Sequence, residues 1–153
     1  MTVPGCFWLF DLDGTLSDAD HRVHFAKAGD WDLFHAVAGH DKPRARVAAF
    51  FRAVCAMGGH AVIVTGRPER YRNPTVDWLD RHDLLPWRLL MRPDLDRRSD
   101  PVAKLELLGE FCREHWDLPP SEVVLAALED RGKVVEAFRG AGIETWQVTE
   151  GKY

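Results

Sequence analysis

The sequence predicts an α/β protein with a central parallel sheet, and three observations support that fold class. Short apolar runs alternate with longer amphipathic runs along the chain, as they do in successive βα units. The first run, Phe7–Phe10, is too apolar for a strand with one face in water, so we expect both of its faces to be covered. Acidic, hydroxyl and glycine residues follow several runs, at the strand ends where such sheets bind ligands.

Five short apolar runs are predicted as strands. In chain order they are Phe7–Phe10, Ala61–Thr65, Leu89–Met91, Val123–Leu128 and Thr145–Val148. The third run is the briefest and therefore has the weakest strand signal. The intervals between the runs leave room for the crossover connections that parallel neighbours require.

Four amphipathic stretches between these strands are predicted as helices, namely Pro43–Met57, Pro68–His82, Asp100–Trp116 and Lys133–Ala141. Gly58-Gly59 is expected to end the first helix. Ser99-Asp100-Pro101 offers cap oxygens before a proline suited to the first turn of the third helix. Residues 17–42 are weakly periodic, and we predict a loop with one short helix there, which is at most a small cap or loop insertion.

The length and composition fit one globular domain over residues 1–153. With 46% hydrophobic residues, such a chain buries roughly two thirds of the surface of its unfolded form. The net charge of −4 indicates no attraction of the whole molecule to nucleic acid or an anionic membrane. Three widely spaced cysteines without a CxxC pair argue against a disulfide framework or a zinc site. Without a signal-peptide pattern or a membrane-length apolar run, we expect a soluble, unprocessed cytoplasmic protein with no membrane partner.

The motif Asp11-Leu12-Asp13-Gly14-Thr15 directly follows the first predicted strand. In an extended segment Asp11 and Asp13 project to the same side, which crowds two negative charges together. Mg²⁺ would compensate them, since it prefers carboxylate oxygens together with substrate phosphate. The alternative is a plain turn, because Asp and Gly often follow a strand. A calcium loop does not fit, because Leu16 stands where its glycine belongs.

The second strand ends in Thr65, Gly66 and Arg67. A hydroxyl, a glycine and a guanidinium are suited to holding phosphoryl oxygens. Thr and Gly at a strand end also cap helices, so this motif alone leaves both interpretations open.

Two further motifs lie in the second half of the chain. Asp100 and Lys104 stand four residues apart on one predicted helix, where they are either a surface ion pair or part of a site. The fourth strand ends in Glu129-Asp130-Arg131, which is either a solvated strand end or part of a metal site. The four motifs thus supply carboxylates, a hydroxyl, an ammonium and further carboxylates, in this order, at strand or helix ends of one α/β domain. That combination favours phosphoryl transfer.

Taken together, the four motifs resemble those of the haloacid dehalogenase (HAD) superfamily of phosphotransferases, from residue 7 to residue 153. The resemblance implies a three-layer, Rossmann-like fold with a minimal or absent cap. It also implies Mg²⁺ as cofactor, held by Asp11 and Asp13 with Asp130 and Glu129.

The same resemblance implies catalytic roles for four residues. Asp11 would attack phosphorus, and Asp13 would protonate the leaving oxygen and then activate water. Thr65 would hydrogen-bond the phosphoryl group, and Lys104 would balance charge. For this chemistry we expect nearby negative charge to raise the pKa of Asp13, so that it is protonated when it meets the leaving alkoxide.

The second half is similar in particular to the 3′-phosphatase domain of phage polynucleotide kinase. The similar stretches are Met91-Arg92-Pro93-Asp94 through Arg97, Asp100 and Lys104, Glu129-Asp130-Arg131, and Glu144-Thr145-Trp146-Gln147-Val148. In that family an arginine follows the nucleophile at the interval that separates Arg22 from Asp11. The resemblance therefore implies substrate contacts by Gly66, Arg67, Arg22, Asp100 and Arg131.

This sequence departs from that family in two respects. Glu129-Asp130 stands where the kinase-linked phosphatase has two aspartates, which keeps a carboxylate but changes its reach. No Walker A loop precedes the first strand, so we expect no 5′-kinase activity in this chain.

The predicted activity is removal of a 3′-phosphate from DNA or RNA ends, with a separate kinase or ligase as a partner. A nucleotidase or small phosphate-ester phosphatase is the alternative, and a non-catalytic end-binding module is a third. Residues 67–98 contain eight arginines against six acidic residues, which favours a polyanion, although arginine outnumbers lysine 15 to 5 throughout. Four aromatic residues either stack on bases or belong to the core: Trp31, Phe34, Tyr71 and Trp78.

Overall fold

The computed structural model describes residues 5–153 and contains two sheets. The strands are β1 (Phe7–Phe10), β2 (Ser17–Asp18), β3 (Lys42–Pro43), β4 (Ala61–Pro68), β5 (Arg88–Arg92), β6 (Val124–Glu129) and β7 (Thr145–Gln147). The helices are α1 (Val23–Lys27), α2 (Trp31–Ala36), α3 (Ala45–Ala56), α4 (Arg72–Arg81), α5 (Asp100–Trp116), α6 (Pro120–Val123) and α7 (Gly132–Gly140). Short 3₁₀ turns cover Asp20–Arg22, Ala38–His40 and Glu69–Tyr71.

The main sheet has five parallel strands in the order β5-β4-β1-β6-β7. Strand β1 lies in the centre, with Phe10 beside Ile63 of β4 and Leu128 of β6. Because these strands are parallel, their carboxyl ends meet at one edge of the sheet. The motifs that follow β1, β4 and β6 are therefore brought together, as the sequence predicts.

Helices cover both faces of this sheet. Phe7 and Leu9 of β1 face a core that contains Phe111 of α5 and Phe138 of α7. Phe10 belongs to the opposite core, which contains Phe51 of α3 and Trp78 of α4. The alternation along β1 follows the period of two of a strand, and it explains why this run is apolar throughout. The three-layer α/β prediction is confirmed.

All five predicted strands and all four predicted helices are present. Strand β1 and helix α5 have the predicted bounds, and the other elements have shifted ends. Strand β4 continues through Pro68, whose backbone is extended (φ −63°, ψ 149°), so α4 begins at Arg72 instead of Pro68. The predicted strand start Val123 is instead the last residue of α6, a single turn that begins at Pro120. Proline fits the first turn of a helix, but a helix this short gives no periodic signal.

The segment of residues 17–42 is more ordered than the sequence predicts. It contains two short helices, α1 and α2, two 3₁₀ turns, and strand β2, which pairs with β3 in an antiparallel two-stranded sheet. Phe34 of α2 is buried in a small core of its own, with Ala19 and Ala26. Each element is too short for its periodicity to be read from the sequence.

Within residues 5–153, no helix combines the length and the apolar composition needed to cross a bilayer.

Candidate active site

The loop after β1 is folded tightly against β6. The backbone N–H of Asp11 donates to the carbonyl of Leu128 at 2.9 Å, and the N–H of Gly14 donates to the carbonyl of Ser17 at 2.9 Å. Gly14 has a φ of 86°, which disfavours any residue with a side chain. A Cβ at this position would also lie 2.3 Å from Oδ2 of Asp130. Glycine is therefore required both by the turn and by the approach of the Asp130 carboxylate.

Three buried carboxylates from the ends of β1 and β6 meet beside this loop. Asp11, Glu129 and Asp130 each offer an oxygen within 4.8 Å of the other two, and we call these three residues the acid cluster. The ammonium of Lys104, from α5, lies 2.6 Å from Oδ1 of Asp11 and 2.8 Å from Oε2 of Glu129. Lys104 is itself only 1% exposed. It therefore acts inside the site and is not a solvated surface cation.

The other carboxylate oxygens of the acid cluster differ in the hydrogen bonds that they accept. Thr15 Oγ1 donates to Asp11 Oδ2 at 2.9 Å, and Glu129 Oε1 accepts the backbone N–H groups of Asp130 and Arg131. The carboxylate of Asp130 receives a long 3.4 Å bond from Thr15. Within residues 5–153, Asp130 has no ion pair, although it is buried, with only 2% of its surface exposed.

The charges of this cluster do not balance. Burial, reinforced by Glu129, raises the pKa of Asp11 well above its usual range despite the nearby Lys104. Burial likewise raises the pKa of Glu129 to about 7. Burial lowers the pKa of Lys104, but Asp100, Asp11 and Glu129 outweigh that effect and hold it well above its usual value. An additional cation would relieve the excess negative charge, and a set of carboxylate oxygens suits Mg²⁺.

A second group of buried charges lies on the other side of the loop. The arginine cluster, as we call it, consists of Asp13, Asp41, Arg22 and Arg67, all of which are buried. Arg67 Nη2 donates to Asp13 Oδ1 at 2.6 Å, and its Nε lies 3.1 Å from both Asp13 oxygens. Arg22 donates from Nη2 to Asp13 and reaches Asp41 with bonds of 2.5 and 2.8 Å.

This arrangement corrects two expectations for Asp13. Burial acts to raise its pKa, but the charges of Arg22 and Arg67 outweigh burial and hold the pKa far below its usual range. The predicted rise is therefore wrong for this state, because two guanidiniums contact the carboxylate. The Asp13 carboxylate also lies outside the acid cluster, so it does not join the carboxylates that could hold a metal.

Asp100 connects three cations at the start of α5. Its oxygens lie 3.0 Å from Arg92, 3.0 Å from Arg131 and 3.4 Å from Lys104. The spacing of Asp100 and Lys104 thus reflects a buried network and not a solvated pair. A Cβ on Gly66 would lie 2.3 Å from Asp100 Oδ1, so the glycine leaves room for this carboxylate.

Thr65 is fully buried beside the site. Its hydroxyl accepts the backbone N–H of Arg67 at 3.2 Å. No hydrogen bond joins Thr65 to Asp11 in the part of the chain that the structure describes. Thr65 therefore shapes the backbone that presents Arg67, and its contact with a phosphoryl group stays a prediction.

A cavity of about 730 Å³ opens over these groups. Asp11, Asp13 and Lys104 line its floor, while Trp31, Arg97 and Lys133 belong to its walls. Of the four aromatic candidates, Phe34 and Trp78 are buried and thus do not offer a free face. The indole N–H of Trp78 donates to the carbonyl of Asp41, which assigns this residue to the core behind the arginine cluster.

Five residues of the site were not predicted, namely Thr15, Asp41, Arg92, His35 and Tyr153. Thr15 lies within the first motif, and its position after Gly14 is the signal that identifies it. Asp41 and His35 have no comparable signal, because residues 17–42 carry no periodicity that places them. Tyr153 hydrogen-bonds the carbonyl of Asp13 at 3.3 Å from 140 positions away.

Comparisons with known proteins agree with this geometry. Residues 5–153 match the family model of the polynucleotide kinase PNKP phosphatase domain. A protein of the Autographa californica nuclear polyhedrosis virus, described as a bifunctional polynucleotide kinase/RNA ligase, is 29% identical over 140 residues. That match covers 90% of this chain and 18% of the viral protein.

Solved structures give the same result. A chain in the Pnkp1/Rnl/Hen1 RNA repair complex is 27% identical, with a TM-score of 0.80 over 97% of this chain and 44% of that one. A hydrolase from Streptococcus pneumoniae TIGR4 has the same fold at 16% identity, with a TM-score of 0.61 over 94% of this chain and 92% of that one. This chain therefore spans less than half of the repair-complex chain and about a fifth of the viral protein. It belongs to the family of the PNKP phosphatase domain and is a phosphatase of the HAD superfamily.

Proposed function

We propose that the chain is a Mg²⁺-dependent phosphomonoesterase that removes 3′-phosphates from DNA or RNA ends through an aspartyl-phosphate on Asp11. The observation that carries this proposal is the placement of Lys104 between Asp11 and Glu129, beside an Asp130 carboxylate that has no ion pair with any of residues 5–153. A carboxylate attacks a phosphate dianion slowly because like charges repel, so both partners must be neutralised first. The acid cluster and Lys104 supply that environment.

The donor set fits Mg²⁺. Asp11, Glu129 and Asp130 are buried within reach of one another, and a single ammonium leaves them with excess negative charge. When bound there, Mg²⁺ supplies positive charge to the phosphoryl oxygens and to Asp11. Asp13 is not proposed as a carboxylate ligand, since its oxygens belong to Arg22 and Arg67.

Within this proposal the two aspartates of the loop have separate tasks. An oxygen of Asp11 attacks phosphorus, and the bond from phosphorus to the 3′-oxygen breaks as that oxygen takes a proton from Asp13. Water then gives a proton to Asp13 and attacks phosphorus, which frees Asp11 and releases inorganic phosphate. Asp13 is ionised while both guanidiniums hold it, so it takes up a proton from solvent once the substrate phosphate draws Arg22 and Arg67 away.

The substrate assignment draws on the relatives. The family model is that of a phosphatase domain from a polynucleotide kinase, and the similar solved chain comes from an RNA repair complex. Arg92 and Arg131, both held by Asp100 at the cavity, are suited to binding phosphate oxygens. A nucleotidase with the same machinery is the second candidate, because the cavity volume also admits a single nucleotide.

Partner proteins, domain organisation and cellular compartment are also proposed. The viral relative is described as a kinase/ligase, and the solved relative lies in a complex named for Pnkp1, Rnl and Hen1, so we propose a separate kinase or ligase as partner. The whole chain would form one catalytic domain, with residues 17–42 as a small cap. Its three free cysteines fit a reducing cytoplasm.

A comparison of substrates tests the function. We expect a 3′-phosphorylated oligonucleotide to be hydrolysed with Mg²⁺, faster than a 5′-phosphorylated oligonucleotide or than either mononucleotide, and expect EDTA to stop the reaction. Equal or better rates on mononucleotides would instead identify a nucleotidase. Tight oligonucleotide binding without hydrolysis of any phosphomonoester would identify an end-binding module.

The covalent step has its own test. Acid quenching during turnover of a substrate with a radiolabelled 3′-phosphate should leave label on the wild-type protein and none on Asp11→Asn. Label that persists on Asp11→Asn would assign the nucleophile to another residue.

A further inference from the structure

An aromatic wall rises from the floor of the cavity, and phosphoryl transfer does not use it. It is made by Trp31, Phe34 and His35 of α2 and by Tyr153, which line the cavity, and by Tyr71, which contacts His35 but is not part of the lining. The ring of Trp31 lies 5.5 Å from that of Phe34, 6.4 Å from that of His35 and 6.3 Å from that of Tyr153. Phe34 and Tyr153 meet at 5.1 Å, and His35 and Tyr71 at 5.3 Å. The rings thus form one continuous packed group.

Trp31 is the exposed member of this wall. It lines the cavity, and it is 45% exposed despite its contacts with three rings. The preceding residue, Asp30, caps α2 by accepting the N–H of Leu33 at 3.1 Å, which fixes the start of the helix and the direction of the indole. A large apolar ring that is already oriented can bind another ring without first losing rotamer freedom.

The ring behind Trp31 is uncharged at neutral pH. Burial, together with Arg67, Arg22 and Arg70, lowers the pKa of His35 to about 4 in spite of the nearby Asp13. A neutral imidazole adds an aromatic surface without a charge that would attract water. The wall is therefore suited to a flat, uncharged partner.

Two contacts hold this wall at a fixed position relative to the loop that carries Asp11 and Asp13. The hydroxyl of Tyr153 donates to the carbonyl of Asp13 at 3.3 Å while its ring contacts Trp31. Arg22 donates to the carbonyl of Phe34 at 3.0 Å, and its guanidinium lies 4.2 Å from the Phe34 ring. One tyrosine side chain therefore connects the Asp13 backbone with the indole of Trp31.

Two cations of the same cavity form no ion pair within the described part of the chain. Arg70, Arg92, Arg98 and Arg131 all pair with aspartates. Arg97 and Lys133 also line the cavity, but neither forms an ion pair with any residue in the range 5–153. Their charge is available to an anionic ligand.

We propose that the indole of Trp31 stacks on the terminal base of a nucleic-acid 3′ end, while Arg97 and Lys133 bind the phosphodiester that precedes it. This assignment rests on the proposed 3′-phosphatase function and specifies how that site selects its substrate. It adds a base subsite to a site whose phosphoryl machinery treats every phosphomonoester alike. A polynucleotide end occupies both subsites, whereas a small phosphate ester occupies neither.

Two matched substrates separate stacking from general damage. One is a 3′-phosphorylated oligonucleotide, and the other has the same length and phosphate but lacks the terminal base. We expect Trp31→Ala to raise KM for the first substrate by roughly tenfold and to change KM for the abasic substrate by less than about twofold. Trp31→Phe keeps an aromatic face and should recover most of the loss.

Leu33→Ala is the control variant. Leu33 lies on the same helix with the same 45% exposure, but it does not line the cavity. We expect it to behave as wild type on both substrates. The ratio of kcat/KM for the two substrates is taken within each variant, so a partly unfolded preparation does not alter it.

Each outcome has a defined meaning. If Trp31→Ala affects both substrates equally, or neither, the base subsite is wrong and Trp31 only packs against the wall. If the wild type turns over the abasic substrate as efficiently as the complete one, the subsite is again wrong while the 3′-phosphatase function stands. If the wild type hydrolyses neither oligonucleotide but does hydrolyse a small phosphate ester, the proposed function itself fails.

The two cations are tested by chain length and salt. The double variant R97Q/K133Q should lose more kcat/KM on the 3′-phosphorylated oligonucleotide than on a 3′-mononucleotide, which has no preceding phosphodiester. Its kcat/KM on the oligonucleotide should also depend less steeply on salt, by about 0.7 log units per log unit for each phosphate contact removed. Equal losses on both substrates would overturn the phosphodiester contact.

Discussion

The two buried charge clusters on either side of the Asp11–Asp13 loop are similar in depth but differ in balance. The acid cluster sets three carboxylates against the ammonium of Lys104, which Asp100 also shares. The arginine cluster sets the carboxylates of Asp13 and Asp41 against two guanidiniums. The first cluster is therefore suited to accepting a cation, and the second to exchanging partners with an incoming anion. Under the proposed function, this difference in charge would orient a phosphate ester over the loop.

The largest expected effect separates activity from stability in the acid cluster. Asp11→Asn should lower kcat by at least about a thousandfold, because the nucleophile is lost. Its melting temperature should not fall, because the change removes one charge from a group with too many carboxylates. Asp77→Asn, an exposed change on α4, should leave both quantities unchanged. A marked loss of stability in Asp11→Asn would contradict the charge excess that we assign to this cluster.

The next prediction compares the replacement of one cation in each cluster. Lys104→Met should lower the free energy of unfolding by about 3–5 kcal/mol, because it leaves Asp11 and Glu129 without a cation. Arg22→Met should lower it by less, because Arg67 still contacts Asp13 and His21 still contacts Asp41. Added Mg²⁺ should recover part of the loss in Lys104→Met, since the acid cluster can take a metal in place of the ammonium. It should recover none in Arg22→Met. Denaturant unfolding with and without Mg²⁺ measures both, and equal recovery would show that the clusters do not differ in cation binding.

Metal binding by the wild type gives a smaller shift. At free Mg²⁺ near a hundred times its Kd, the wild type should gain about 2.7 kcal/mol of stability. Asp130→Asn should lose most of this gain, whereas Asp41→Asn in the arginine cluster should keep it. Thermal unfolding at several Mg²⁺ concentrations gives the comparison. If Asp41→Asn abolishes the gain as well, the metal site extends beyond the acid cluster.

The smallest effect concerns the edge of the arginine cluster at His35. Its pKa is lowered to about 4 in the folded state, against about 6.5 in the unfolded chain. The unfolded state therefore binds more protons between these values, and stability falls as the pH drops from about 6.5 towards 4. His35→Gln should have a flatter profile in this window. The difference in unfolding free energy between the two proteins, followed from pH 7 to pH 4.5, should shrink or reverse.

The residues at strand ends were predictable because parallel strands bring their carboxyl ends together. Asp11 and Asp130 follow from this rule, as does the general position of Arg67. Lys104 lies within α5, so its place in the site came from the family resemblance and not from this rule. The partner of Asp13 was not predictable, since Arg22 reaches it from a segment without periodicity. For the same reason Asp41 was not predicted, and the expected shift in the pKa of Asp13 had the wrong direction.

Aromatic residues show the same limit. Tryptophan at a helix position indicates either a core residue or a binding surface, and the pattern of neighbouring residues does not separate these cases for Trp31 and Trp78. Burial separates them, because Trp78 is fully enclosed and Trp31 is half exposed. That distinction depends on how residues 17–42 fold over the sheet, which is a tertiary property.

The order of strands in the main sheet has a consequence for the biosynthesis of this protein. Asp11 is made early, but Lys104 is 93 positions away, and Thr15 and Asp130 are 115 positions apart. At about 5–20 residues per second, the ribosome adds these partners several seconds after the nucleophile loop. A growing chain thus carries Asp11 without the ammonium of Lys104 and without the carboxylates of Glu129 and Asp130. Phosphatase activity therefore reports that α5 and β6 have both been added to the sheet, and it can serve as a sensitive assay for completed folding.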